Sequence, residues 1–256
     1  MKRALAIGRG LAFPAAAIVL CQIAAMVSHL QSDTLASPAA ALVAGAHAFA
    51  DGSILLATVQ TLANAFGGLA LGGCIGLILG ILLGSSTTAD RLMEFSVEAL
   101  RPIPSVALIP VAMLIYGFGY RMEIAIVAFA SFWPVLILSR NAVAGVDAAL
   151  FDVARVLRLP PLARTIKIVL PAALPRIFVA FRLAAGIALT VAVTVEVSTN
   201  PLGLGYGMML AEQSLHPELM LAYLLWIGII GWGLNFAIVN AQRRLFGRSA
   251  NVRTAT

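Results

Sequence analysis

Six apolar stretches, at about 11–30, 54–84, 105–116, 124–138, 175–197 and 218–240, alternate with short polar or Gly/Pro-rich intervals along this chain. Several reach the ~20 residues a helix needs to cross a bilayer. A helix also satisfies its own backbone polar groups in lipid. The pattern predicts an all-α, polytopic membrane protein with six transmembrane helices. No polar interval is long enough to bury a separate core, so the plan is one integral unit. Residues 1–53 hold a first helix and an external loop, 54–247 a core of five spans, and 248–256 a tail.

Finer patterning adds local expectations. Lys2, Arg3 and Arg9 before the first apolar run resemble a signal peptide's start, but the run is long and reads as an uncleaved helix. Residues 31–53 read as a loop, with Ser37-Pro38 and Asp51-Gly52 marking turns. The run 54–84 exceeds one span and is less apolar in its first third, where Gln60 and Asn64 sit, so it predicts an interfacial start or a long tilted helix. Within it Gly68, Gly72, Gly76, Gly80 and Gly84 recur every four residues, a spacing that lets a second helix backbone approach closely. Residues 85–101, with Leu92, Phe95 and Leu100 among charges, predict a helix lying along the membrane surface, ended by Arg-Pro-Ile-Pro. Residues 117–123 read as a turn, Pro134 as a kink in the fourth span and 198–218 as a structured loop.

Composition agrees with a membrane protein: 61% of the 256 residues are hydrophobic and 11% charged, against about 45–50% and about 25% in soluble domains. With the N-terminus inside, the segments 1–10, 85–101, 139–175 and 241–256 and the helix ends beside them hold every Lys and Arg except Arg121. That bias orients the chain with both termini cytoplasmic. The net charge of +6 therefore reads as orientation plus contact with anionic lipid or a partner, with no role for nucleic acid. Cys21 and Cys74 lie within apolar runs and read as packing residues, and the three histidines have no ligand-like spacing.

Candidate chemistry is sparse. No catalytic motif is present, and apart from Arg176 and Glu218 at the span edges the charged residues inside predicted spans are Arg182, read as snorkelling, and Glu196, read as a cap, a pair or part of an outer gate. A phosphate-binding loop needs Gly followed by Lys. The two lysines follow Met1 and Ile166. Energy for active transport must then arrive from another subunit.

The longest polar interval between apolar segments, 146–171, carries Arg155, Arg158, Arg164 and Lys167 against Asp147 and Asp152. Two short helices are expected at 147–156 and 162–168, separated by Leu159-Pro160-Pro161, because proline after proline rules out a continuous helix. Asp152 is expected near the first helix's start, where negative charge is favourable. Such a knob suits a cytoplasmic docking surface on which a partner pushes.

Asp152-Val153-Ala154, Arg158 and Ile168-Val169-Leu170-Pro171 resemble, at matching spacing, the cytoplasmic motif of bacterial ABC-importer permeases: an acid-Ala-Ala triplet, a glycine and Ile-x-Leu-Pro. Val153 replaces an alanine, Asp152 a glutamate, and Arg158 stands where glycine is usual. Arg101-Pro102-Ile103-Pro104-Ser105, Leu108-Ile109-Pro110, Phe132-Trp133-Pro134, the segment from Leu170 to Pro175 and Gly203-Leu204-Gly205-Tyr206 look like the nitrate/sulfonate/taurine branch. The similarity covers about 55–247.

The resemblance implies a type I ABC-importer permease fold with a two-helix coupling element, in a bacterial inner membrane. It implies a second permease copy, a cytoplasmic ATPase under each, and an extracytoplasmic solute-binding protein. ATP and Mg would belong to the ATPase, leaving this chain without cofactor or catalytic residue. Coupling would fall to Asp152, Val153, Ala154, Arg155, Arg158, Pro160, Ile168, Leu170 and Pro171. Glycine at the Arg158 position commonly ends a helix in a left-handed conformation that arginine tolerates poorly, so either Pro160-Pro161 makes the turn or Arg158 serves a partner acid. A solute path between the copies would pass Ser105, Met113, Thr190, Thr194 and Ser198, with Glu196 as a gate candidate, and the solute would be a small anion. A self-powered secondary carrier and an intramembrane enzyme are the competing readings.

Overall fold

A computed structural model of the chain describes residues 36–247. The expected first span and most of the arginine-rich tail lie outside the described residues. Within them every element is helical. Four helices are long and apolar enough to cross a membrane, or five spans if one bent pair is counted.

The first helix, α1 (Pro38–Ala50), overturns the expectation of a loop at 31–53. Ser37-Pro38 is a helix start: the Ser37 hydroxyl accepts from the Ala40 N–H at 3.2 Å, and Pro38 supplies a fixed φ in the first turn. Asp51-Gly52 is the turn the sequence marks, with Gly52 at φ 79°. The Ser53 N–H donates to Asp51 and holds that carboxyl below its usual range.

Helix α2 (Ser53–Ser85) carries the glycine register, and its partner is α5 (Tyr120–Ala144). A Cβ at Gly76 would stand 2.6 Å from the Phe132 carbonyl oxygen, one at Gly80 2.7 Å from that of Leu136, and one at Gly84 2.6 Å from that of Arg140. Both helices advance four residues per contact in the same direction, so they are parallel. Parallel neighbours require the chain to recross between them. It does so through the surface helix α3 (Thr87–Leu100), a 3₁₀ turn (Ser105–Leu108) and the short α4 (Ile109–Tyr116), bent by 80° at the Arg101–Pro104 break. The predicted third span is thus broken: α4 has 8 residues, about 12 Å against ~30 Å of hydrocarbon. Asp90 of α3 receives a bidentate pair from Arg140 of α5, at 2.5 and 2.7 Å, which moors the surface helix.

After α5 come α6 (Ala148–Val156), α7 (Pro161–Arg164), a π segment (Thr165–Val169) and the long α8 (Leu170–Ser198). The second half of the expected knob is therefore the root of a span, where two separate short helices were expected. Pro171 and Pro175 cannot donate backbone bonds, and the widened turn before them, in which the Leu170 N–H reaches Thr165, absorbs the misfit. Helix α8 runs antiparallel to α5, with Val195 beside Met122 at one end and Ala173 beside Val143 at the other. Helix α9 (Gly203–Gln213) occupies the interval read as a loop, and α10 (Pro217–Phe246) closes the bundle from outside. Trp226 of α10 donates to Thr58 at 2.9 Å and stacks edge-on with Phe49, tying α1, α2 and α10 together.

Candidate functional site

The knob at one end of the bundle is built from its caps. Asp147 accepts the Ala149 N–H at 3.0 Å and starts α6. Asp152 therefore lies beyond the first turn, contrary to expectation, and the favourable acid at the helix start is Asp147. Asp152 pairs instead with Arg155 at 2.9 Å in full view of solvent. Ala154 is the buried foot of the helix, while Val153, Val156 and Leu157 project outward.

The end of α6 settles how arginine replaces glycine. The Leu159 N–H bonds to the Ala154 carbonyl at 3.1 Å and the Arg158 N–H to that of Arg155 at 3.0 Å. These are the two bonds of a Schellman motif, and its left-handed residue is Arg158, at φ 48°. The prolines do not provide an alternative route. Pro160 is extended and Pro161 starts α7. Arginine in that conformation costs about 1–2 kcal/mol. Beyond the turn, Val169 is buried while Ile168 and Leu170 are half-buried, rooting the knob, and Pro171 is exposed.

The pathway candidates separate. Thr190, Thr194 and Ser198 lie four residues apart on α8 and bond back to Gly186, Thr190 and Thr194 at 3.0, 2.8 and 2.7 Å. Thr190 lines a groove of about 510 Å³ between α8 and α10, where Arg182 donates to Asn235 at 3.0 Å. Ser105 lines a second groove, of about 420 Å³, with Arg101 and Trp133. Met113 packs against Ile109, Met122 and Val195. Glu196 turns away from this face.

Glu196 belongs to a buried polar cluster at the far end of the bundle from the knob. It is 0% exposed, as is Glu123, which the sequence reading placed in a turn and which lies inside α5. The two carboxyls belong to one buried set of polar side chains, so the chain does place two acids of its spans at the same end of the bundle. Glu196 Oε2 accepts from the Thr61 hydroxyl at 3.0 Å and the Gly205 N–H at 2.9 Å. Glu123 Oε2 accepts from Asn64 at 2.7 Å and from Asn200. Gly203 and Leu204 donate their N–H groups to Gln60 and Thr61 at 3.0 and 2.9 Å. The first turn of α9 is thus capped by side chains of α2 and α8. Gly203 is required there, at φ 91° and with a Cβ only 2.7 Å from Glu196 Oε2. Two signals pointed this way: Gln60, Thr61 and Asn64 share a side of α2, and Glu123 and Glu196 occupy corresponding ends of spans.

Residues 72–250 match the family of binding-protein-dependent transport system inner membrane components. The chain is 31% identical to a putative aliphatic sulfonates transport permease protein of Bacillus subtilis, over 87% of this chain and 81% of that one. It is likewise 31% identical to the protein of the same description from Escherichia coli, over 90% and 86%. A bicarbonate transport system permease protein of Synechococcus elongatus is 27% identical over 75% and 70%. In fold the chain is similar to a chain of the MetNI methionine ABC transporter, with a TM-score of 0.66 at 22% identity, covering 72% of this chain and 92% of that one.

Proposed function

Since the chain belongs to the family of binding-protein-dependent transport system inner membrane components, and is a multi-pass permease subunit of an ABC importer, we propose that it imports a small oxyanion such as a sulfonate or bicarbonate, driven by an ATPase docked on the α6–α7 knob. The observation that carries the docking is the knob itself. It leaves Val156 83% and Leu162 72% exposed beside arginines at the end of the bundle richest in basic residues. Apolar tips of this kind need a partner's cover. The relatives' named solutes support the anion.

The positive-inside distribution supports a cytoplasmic position for the knob and both termini. There Asp152, Val153, Arg155, Arg158 and Pro160 form the contact, with Ala154 packed beneath them, while Ile168, Leu170 and Pro171 tie it rigidly to α8. Motion of the knob then moves α8, whose hydroxyl-bearing face, with Thr190, Thr194 and Ser198, meets a second copy and lines the path. A solute-binding protein delivers the anion from outside.

The test is co-reconstitution of the purified chain with its ATPase and binding protein. ATP hydrolysis is expected only with the ATPase present, rising when the binding protein carries its anion. Uptake that persists without any ATPase would establish a secondary carrier instead.

A further inference from the structure

The knob holds more positive charge than docking by apolar contact requires. Arg155 and Arg158 from α6 and its terminal turn, and Arg164 from α7, line a pocket of about 300 Å³ whose remaining walls are Phe151, Ala154 and Leu159. The Arg164 guanidinium lies over the Phe151 ring at 5.6 Å, and its Nε is buried without a hydrogen-bond partner. Asp152 is the acid paired at the pocket's edge, with Arg155, and both side chains are so exposed that solvent weakens the pair. Arg158 has no ion-pair partner among the described residues and is held at φ 48°, a conformation glycine would adopt without strain. Strain kept to hold one charged side chain in place points to a function for that charge.

We propose that this three-arginine pocket seats an aspartate or glutamate side chain of the ATPase subunit. The acid enters between Arg155, Arg158 and Arg164 as a planar carboxylate facing guanidinium forks. Val156, Leu157 and Leu162, all exposed around the rim, fill an apolar groove beside it. The buried Nε of Arg164 gains an acceptor, and Arg155 exchanges a solvent-weakened partner for a desolvated one. The proposal rests on the reading of the knob as the ATPase-facing element and adds the chemistry of the partner's side.

The experiment measures capture of the ABC ATPase subunit encoded beside the permease, using the full-length permease in neutral-lipid and anionic-lipid nanodiscs. Arg158→Glu is expected to weaken capture on the order of tenfold or more, and Arg158→Gly, which relieves the backbone strain, about threefold. Arg164→Gln is expected to fall between them, and raised salt to weaken the wild type more than Arg158→Gly. Replacing the acid in the ATPase groove by arginine should restore capture by Arg158→Glu. Capture by Arg158→Gly and Arg158→Glu equal to wild type, with wild type still activating the ATPase, overturns the pocket while leaving the permease reading intact. Failure of the wild type to bind or activate that ATPase overturns both. A defect seen only in anionic nanodiscs overturns the pocket in favour of a lipid headgroup.

Discussion

The two ends of this bundle handle polar groups in opposite ways. At the far end, Thr61, Asn64, Glu123, Glu196 and Asn200 are buried and hydrogen-bond to one another and to the first turn of α9, with Glu123 Oε1, Glu196 Oε1 and Asn200 Oδ1 left without a partner. At the knob, arginines and apolar tips stand in solvent, the Nε of half-buried Arg164 lacks an acceptor and one residue is strained. The far end turns its polar groups inward, onto one another; the knob turns most of its own outward, to the surface. A network among buried groups cannot lose a member cheaply, because each lost partner leaves a donor or acceptor in a medium that offers no replacement. Exposed groups lose almost nothing, since water takes over. The difference separates what this chain needs to fold from what it needs to work.

The contrast is broken most severely by Glu196→Ala. It strips the Thr61 hydroxyl and the Gly205 N–H of their acceptor and is expected to cost about 3 kcal/mol, read as earlier unfolding in detergent and faster proteolysis across α9. Glu196→Gln keeps an acceptor oxygen and is expected to cost markedly less; an equal cost would show that the hydrogen bonds do not hold the cluster. Thr61→Val follows, at about 2 kcal/mol, because it removes the acceptor of the Leu204 N–H and a donor to Glu196 while conserving shape. Hydrogen exchange should then accelerate at 203–205 before it does anywhere in α5.

The knob responds with the opposite sign. Arg158→Gly is expected to stabilise the end of α6 by about 1 kcal/mol, seen as slower exchange of the Arg155–Leu159 amides, while ATP hydrolysis with the partner declines. Arg155→Ala is the smallest effect on stability, below about 0.5 kcal/mol, since its pair with Asp152 is exposed. A large loss of fold stability from Arg155→Ala would erase the distinction between the two ends.

Much was legible in the chain because it depends on neighbours in sequence. Apolar run length located four of the spans, the four-residue glycine repeat announced a helix contact, and motif spacing located the knob, while the left-handed turn at Arg158 emerged only in the structure. The misreadings share one cause. Ser37-Pro38 and 198–218 carry turn-forming residues, which also start and cap helices, and only packing against α10 and α2 decides which use prevails. Glu123 looked like part of a turn because charge beside glycine usually faces water. Its burial depends on Asn64 and Asn200, which are 59 and 77 residues away.

By itself the sequence determined that this protein lives in a membrane and where its polar knob lies between two spans. Those properties are sums over local hydrophobicity, charge and helix-stop signals. Tertiary structure alone decided that two glutamates from separate spans are buried at one end of the bundle, that α9 is pinned by α2 and α8, and that three arginines share one pocket. Such contacts join positions far apart along the chain, and only the packed helices bring them within hydrogen-bonding reach.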